Sequence, residues 1–257
     1  MSTRAQQYDA QVLRREQVSP HLVRMVLGGD GLADFASTGI PDEWVGLVVP
    51  GQFQSRYYTV RSWDGAEIVL DVVVHDVGLG TEWAKGDCVG DRVTITEPKG
   101  SWALPDDAGW IYLVGDLTAL PAMARIAREN TSVPLQVWAE VPDDLAEYFD
   151  GGDVDVTWLE APEHGSDLAA VVESLPFPDG PGYFWMAGES AQMRAIRKHL
   201  MRERQLPSTA YDVMGYWRGG AKRQPRAVDP GPIYRAGKAA GKTDEQIWAD
   251  YDAARDA

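Results

Sequence analysis

The chain carries a single cysteine, Cys88, among 257 residues. That excludes an internal disulfide, a cysteine-ligated cluster and a zinc-finger site; Cys88 reads as a partly buried small residue near a turn. No run of about 18 apolar residues occurs, so no membrane span is expected. The first residues lack an apolar core and a small-residue cleavage pattern, so no signal peptide is expected and the cytoplasm is the expected compartment. Positive charge is scarce: 24 Lys and Arg stand against 39 Asp and Glu, a net charge of −15. Nucleic acid and anionic membrane surfaces require clustered cations and are disfavoured as partners. The same acidity suits a monomer and means that any anionic ligand must be drawn in by a local basic patch. Internal repeats are absent, and so is the G-x-G-x-x-G fingerprint of dinucleotide-binding turns.

What is present divides near residue 105. Before it, short strand-like runs alternate with turn signals: His21 to Leu27, Trp44 to Val49, Arg56 to Arg61, Ile68 to His75 and Arg92 to Glu97. In the fourth run Ile68, Leu70, Val72 and Val74 share one face by period-two alternation. Such a series predicts a small antiparallel barrel over residues 1–105. From 106 to 220 strands alternate with helices, which predicts a parallel sheet covered on both faces. Strands are expected at Trp110 to Val114, Leu135 to Ala139, Val154 to Leu159, Tyr183 to Ala187 and Tyr211 to Met214. Helices are expected at Ala119 to Arg128, near Leu168 to Val172, and at Ser190 to Arg204 with Ser190 as N-cap. Residues 221–257 form a third region. Residues 219–237 are expected to be irregular, and Thr243 to Ala254 a terminal helix capped by Thr243, with Ile247, Trp248 and Tyr251 on one side.

Four stretches carry chemistry. In Arg56-Tyr57-Tyr58-Thr59-Val60-Arg61, strand alternation puts Arg56, Tyr58 and Val60 on one face and Tyr57, Thr59 and Arg61 on the other. A guanidinium, an aromatic ring and a hydroxyl thus sit within a few ångströms of one another. A flavin needs these groups, for its pyrophosphate, its isoalloxazine ring and its redox-active edge. An ordinary strand with surface arginines presents the same residues. From His75 to Ala84, a strand end runs through Gly78 and Gly80 into a helix start with Thr81 and Trp83; glycines let backbone approach a phosphate. Gly115, Asp116, Thr118 and Ala119 lie between a strand and a helix, where open α/β sheets bind ligands. Ala187, Gly188 and Glu189 occupy the equivalent place on a later strand.

In this order and spacing the stretches resemble the siderophore-interacting protein family of FAD-dependent ferric-siderophore reductases, a branch of the ferredoxin-reductase-like superfamily. The family's R-x-Y-T-x-R is matched by Arg56, Tyr58, Thr59 and Arg61. Its H-x-x-G-P-A-S-x-W-A is matched at His75, Gly78, Trp83 and Ala84, with Thr81 for the Ser, Gly80 for the Ala and Leu79 for the Pro. Its G-D-E-T-A-L-P becomes Gly115 to Pro121 with Leu117 in place of the acidic residue. Its A-G-E is Ala187-Gly188-Glu189, and its G-Y-W-R is Gly215 to Arg218. The resemblance spans residues 8 to 225.

It implies a Greek-key barrel that binds FAD, followed by an α/β domain that receives electrons from NAD(P)H or a reduced ferredoxin. The implied reaction is one-electron reduction of a ferric siderophore, which loosens iron from hard oxygen ligands. Such an outer-sphere transfer requires no protein iron ligand and no catalytic acid or base. Glu140, at a strand end, would suit ribose hydroxyls, and no Lys or Arg lies between Arg128 and Arg194; both lean towards NADH over NADPH. For an anionic ferric chelate the candidates are Arg218, Lys222 and Arg223, with Arg226 beside them and Arg194, Arg197, Lys198 and Arg202 on the preceding helix. Two other readings remain open at this point. One is another flavin reductase of the superfamily, acting on a quinone, free flavin or cytochrome. The other is a non-catalytic protein that senses or carries a siderophore.

Overall fold

A computed structural model describes residues 6–52, 54–74, 78–130, 132–149, 154–219, 230–243, 246–247, 249–250 and 253. Six strands close into an antiparallel barrel: β1 (Gln7–Ser19), β2 (Leu22–Gly28), β3 (Trp44–Val48), β4 (Arg56–Trp63), β5 (Ile68–Val73) and β6 (Arg92–Thr96). Their order round the barrel is β1-β2-β5-β4-β3-β6, and closure leaves no unpaired edge. Alternation decides the interior. Ile68, Leu70, Val72 and Val74 point inward, none more than 1% exposed, and meet Val23, Met25, Val45, Val60 and Ile95. Cys88 is buried there beside Met25. A short helix, α1 (Leu79–Lys85), connects β5 to β6.

The first strand has no counterpart among the sequence-based expectations. Tyr8, Ala10 and Val12 alternate inward, but the pairing with β2 slips between Val12 and Arg14, and the rest of the strand is charged. Backbone pairing holds that half where the side-chain pattern does not announce it.

The second unit is a five-stranded parallel sheet ordered β11-β10-β7-β8-β9. Its strands are β7 (Ile111–Asp116), β8 (Leu135–Val141), β9 (Asp155–Glu160), β10 (Tyr183–Glu189) and β11 (Tyr211–Trp217). Every residue of β7 and β10 is buried, as in a sheet covered on both faces. Helix α2 (Leu120–Glu129) covers one face; α3 (Leu168–Ser174) and α4 (Ser190–Lys198) cover the other.

Two local expectations are corrected. Ser190 is the first helical residue of α4, not its cap, and Glu189 takes the N-cap position. The cause is close packing: a Cβ on Gly215 of β11 would collide with Ser190 Oγ, so that hydroxyl faces the neighbouring strand rather than the free N–H groups of its own helix. The helix also stops short of Arg204, passing into a π-helical turn at His199–Glu203. The stretch expected to be irregular contains a helix, α5 (Pro230–Ala239). It ends at Gly241, whose φ of 70° suits only glycine, with Lys242 N–H bonded to the Gly237 carbonyl and Gly241 N–H to that of Lys238. Thr243 then caps the next helix as anticipated: its N–H donates to Gln246 Oε1 at 3.0 Å, and Gln246 N–H donates to Thr243 Oγ1 at 3.4 Å. Ile247 is fully buried against Gly237; Trp248 and Tyr251 lie outside the described residues.

Buried polar contacts lock the two units together. Arg125 of α2 reaches Glu43, and the same nitrogen donates to the Val60 carbonyl. Asp42, fully buried, accepts from Ser101 N–H, Ser101 O–H, Trp102 N–H and Trp185 Nε1. Asp143, after β8, receives Ser19 O–H and His21 N–H from the β1–β2 turn.

Candidate functional site

Strand β4 runs along the seam between the two units. Val60 faces the barrel core and Tyr58 packs against it, half-buried, with Arg56 exposed two residues earlier. Burial pushes the Tyr58 phenol up, and the nearby Arg56 charge pulls it partly back. On the opposite face Tyr57 is 69% exposed, whereas Thr59 and Arg61 are buried under the second unit. Pairing with β5 skips from Val60 to Ser62, leaving Arg61 as an extra residue. Its guanidinium lies 4.3 Å from the Tyr148 ring centre and 3.7 Å from Asp71, and Arg128 donates to its carbonyl. Arg61 therefore sits in the seam and braces it, while Arg56 and Tyr58 lie on the other face of β4 and Tyr57 is exposed.

The glycine turn meets this strand in space. A Cβ on Gly80 would stand 3.5 Å from the Tyr58 hydroxyl and 3.3 Å from Gln52 Nε2, so the missing side chain leaves the approach to Tyr58 open. Gly78, with φ of 139°, begins α1, and Glu82 N–H closes back on its carbonyl. Thr81 is buried at the first turn. Trp83 packs against the barrel core and donates its indole N–H to Asp91 at 2.8 Å, so it anchors α1 from behind the turn. His75 lies outside the described residues. Against a flavin dinucleotide the donor set fits: the exposed Arg56, the Tyr58 ring and the Gly78–Thr81 turn lie together, with the Tyr57 ring and the buried Thr59 hydroxyl on the other face of the same strand.

At the carboxyl ends of the parallel strands the arrangement departs from expectation. Asp116 turns inward: its carboxylate accepts from Thr118 N–H at 2.9 Å, Thr118 O–H at 2.5 Å and Trp217 Nε1 at 2.6 Å. Burial pushes its pKa up against those bonds. Gly115 ends so close to Ala119 that a Cβ would collide with it, and a Cβ on Gly188 would stand 2.6 Å from Asp116 Oδ2. These glycines and Ala187, which pairs with Gly115, let β7 and β10 end together over the start of α2. Glu189 is buried and accepts from Gly219 N–H at 3.2 Å.

Glu140 is neither a solvated loop carboxylate nor presented to a ribose. It is the sixth residue of β8, 3% exposed, and it accepts from Asp167 N–H at 2.8 Å with Ser166 alongside. Burial raises its pKa, and the neighbouring Asp116 and Asp167 add to the rise. The sequence placed it correctly at a strand end, but the turn that covers it lies 27 residues away.

Arg218, just past β11, is exposed. Lys222, Arg223 and Arg226 lie outside the described residues. On α4, Arg194, Arg197 and Lys198 are exposed, as is Arg202 beyond it.

Tyr216, part of a motif noticed in the sequence, was not singled out there. Tyr216 stands in β11 without a partner on β10, because Gly215 pairs with Gly188 and Trp217 with Glu189. Its hydroxyl is buried and makes no hydrogen bond. Burial drives its pKa well up, helped by Asp42. No local pattern connects residues so far apart in the chain.

Comparison with known proteins bears on the same residues. The family model described as siderophore-interacting FAD-binding domain matches residues 11–55 and 51–102, and that described as siderophore-interacting protein matches residues 108–220. An NADPH-dependent ferric-chelate reductase of Escherichia coli is 27% identical over 237 residues, covering 80% of this chain and 91% of the relative. A siderophore utilization protein from T. fusca superposes with a TM-score of 0.71 at 27% identity, covering 87% of this chain and 97% of the other. Phthalate dioxygenase reductase, at 17% identity and a TM-score of 0.62 over 81% of this chain and 68% of the other, shares the fold.

Proposed function

The chain belongs to the siderophore-interacting protein family, with a ferredoxin-reductase-like fold, and from that premise we propose that it is an FAD-dependent reductase of ferric siderophores. The observation that carries the reading is the meeting of two motifs that are distant in sequence. The Arg56–Arg61 strand and the Gly78–Thr81 turn come together where Gly80 leaves Tyr58 accessible. FAD held there would supply the conversion of a two-electron donor into a one-electron reductant.

The chain's own residues divide the work. Arg56 neutralises the pyrophosphate, and the turn at Gly78, Gly80 and Thr81 admits the phosphates to backbone distance. The rings of Tyr57 and Tyr58 offer stacking surfaces. Thr59 would offer its hydroxyl to the redox edge, and Val60 holds the strand in place, its N–H bonded to the Glu43 carbonyl and its own carbonyl to Arg125. Arg61 and Trp83 act from behind, one bracing the strand and the other the turn. Donor electrons enter from the side of the second unit, at the strand ends formed by Gly115, Asp116, Thr118, Ala119, Ala187, Gly188 and Glu189. Because Glu140 is held by the Ser166–Asp167 turn, it supplies no preference for NADH over NADPH. Either nucleotide is a donor, with reduced ferredoxin as the alternative. Arg218, Lys222 and Arg223 attract the anionic ferric chelate, which keeps its own iron ligands. The expected site of action is the cytoplasm.

The test is reconstitution followed by anaerobic stopped-flow. The protein should take up FAD and turn yellow, and Arg56→Ala and Tyr58→Ala should weaken that uptake. Bound flavin should be bleached by one of NADH, NADPH or reduced ferredoxin, then reoxidised faster by ferric siderophores than by free flavin or quinone. Protein that binds no flavin, or flavin that ferric chelates do not reoxidise, would defeat the reading.

A further inference from the structure

We infer that Tyr148, from the segment after β8, is a positioning residue for the flavin site: it fixes Arg61, and through Arg61 the stretch of β4 that carries Thr59. The inference rests on the flavin reading above and adds to it a residue of the second unit that none of the four sequence stretches contains.

Three observations carry it. First, Arg61 is the extra residue of a β-bulge, where pairing with β5 skips from Val60 to Ser62. A bulge re-aims its side chain, so that side chain needs a hold where it points. Second, Tyr148 holds it twice. The guanidinium lies 4.3 Å from the centre of the ring, and Arg61 Nη2 donates to the Tyr148 carbonyl at 3.2 Å. Third, Tyr148 is itself anchored in both units. Its hydroxyl donates to Asp71 Oδ2 of β5 at 2.5 Å. That carboxylate is fully buried and is gripped by Arg24 of β2 through two hydrogen bonds, at 2.8 and 2.9 Å. Within the second unit, Tyr148 N–H donates to the Leu145 carbonyl, and the adjoining Phe149 ring packs edge-on against Trp158 of β9.

The hydroxyl sets Tyr148 apart from a plain apolar contact. Burial and the Asp71 charge hold the phenol well above its usual pKa, so it stays protonated and donates. Phenylalanine would present the same ring to Arg61 without the tie to Asp71. Asp71 does not take over the hold on Arg61, because its carboxylate stands 3.7 Å from Arg61 Nε, too far for a hydrogen bond. Along the main chain, Arg128 donates to the Arg61 carbonyl and Arg125 to that of Val60. Tyr148, Arg125 and Arg128 all belong to the second unit, and Thr59 directly precedes the two residues they clamp. The place offered to the flavin's redox edge is complete only when the second unit is docked. Retention of FAD is thereby tied to the interface through which donor electrons arrive.

The test uses the full chain with Tyr148→Phe, Tyr148→Leu, Arg61→Lys and the combination of Tyr148→Phe with Arg61→Lys. Tyr112→Phe is the control: it loses a hydrogen bond of the same kind, to the Pro176 carbonyl at 2.6 Å, on the face of the sheet that α3 and α4 cover. FAD affinity is read by fluorescence titration of apoprotein, and the bound flavin by its midpoint potential. Tyr148→Phe should weaken FAD binding about threefold to tenfold, the range of a single hydrogen bond. Tyr148→Leu, which also removes the ring, should weaken it further, and both should shift the potential. The combined variant should bind no more weakly than Arg61→Lys alone, because Tyr148 acts through Arg61. Tyr112→Phe should bind FAD as the unaltered protein does, although its urea midpoint falls. Unchanged affinity and potential in Tyr148→Phe would overturn the proposal, as would additive losses in the combined variant or an equal loss of affinity in Tyr112→Phe. If the unaltered protein takes up no FAD, the flavin reading fails first, and the two failures are thereby told apart.

Discussion

Arg125 of α2 and Glu43 of the barrel meet at 3.2 Å, and neither side chain is more than 6% exposed. Glu43 also accepts hydroxyl protons from Ser37 and Thr38. This pair joins the two units directly behind β4, where Arg125 also donates to the Val60 carbonyl at 2.8 Å. Strand β4 is thus pinned by the unit that faces it. Arg125→Ala strands a buried carboxylate and should cost about 3–5 kcal/mol of unfolding free energy. Adding Glu43→Gln to that variant should recover part of the loss, since the amide oxygen still accepts from Ser37 and Thr38. Urea denaturation of the two variants checks this, and equal losses would contradict it.

A second tie crosses the sheet from its edge to its centre. Trp217 of β11 reaches Asp116 of β7 past the intervening β10. Trp217→Phe keeps the ring's bulk but leaves one carboxylate oxygen short of a donor. The expected cost is about 1–3 kcal/mol, read as a lower urea midpoint at an unchanged slope.

Glu140 makes the stability depend on pH. Its folded pKa is raised from the ordinary value of 4.5, burial being the main cause. A raised acid favours the folded state below its unfolded pKa, and that contribution is lost as pH rises through the folded value. Glu140→Gln removes the titration while its amide oxygen still accepts from Asp167 N–H. The variant should match the unaltered protein near pH 4 and exceed it in thermal midpoint at pH 8. A difference of the opposite sign at pH 8 would show that the carboxylate gains more from its hydrogen bonds than it loses by burial.

The basic stretch after the sheet gives a kinetic prediction. Replacing Arg218, Lys222 and Arg223 together with alanine should raise the apparent KM for an anionic ferric siderophore several-fold. It should also flatten the dependence of KM on ionic strength, with FAD content unchanged. A KM that does not move removes the stretch from the landing site.

Much of this molecule is written in local periodicities. The two-residue alternation from Ile68 to Val74 faces the barrel core, and the uninterrupted apolar run of β10 is buried on both sides. Glycines at 80, 115 and 188 mark places where the chain passes close to a neighbour, and Gly78 one where the backbone takes a φ of 139°. The motif order from Arg56 to Arg218 pointed to the family. Those features survive in the sequence because each depends on residues a few positions apart. The failures share a cause as well. Half of β1 is held by backbone pairing that a charged sequence does not reveal, and Ser190 loses its capping role to the crowding of Gly215.

The sequence alone determined which residues face a core, where strands end and which stretches resemble the family's motifs, because steric alternation and turn geometry act within a few residues. Only the tertiary structure decided that Glu140 is covered by the turn at Ser166 and Asp167, that Arg61 braces the seam and that Trp217 reaches Asp116. Those partners lie tens to more than a hundred residues apart. They meet through the closure of a barrel and the docking of a sheet against it, and no local pattern in the chain encodes that meeting.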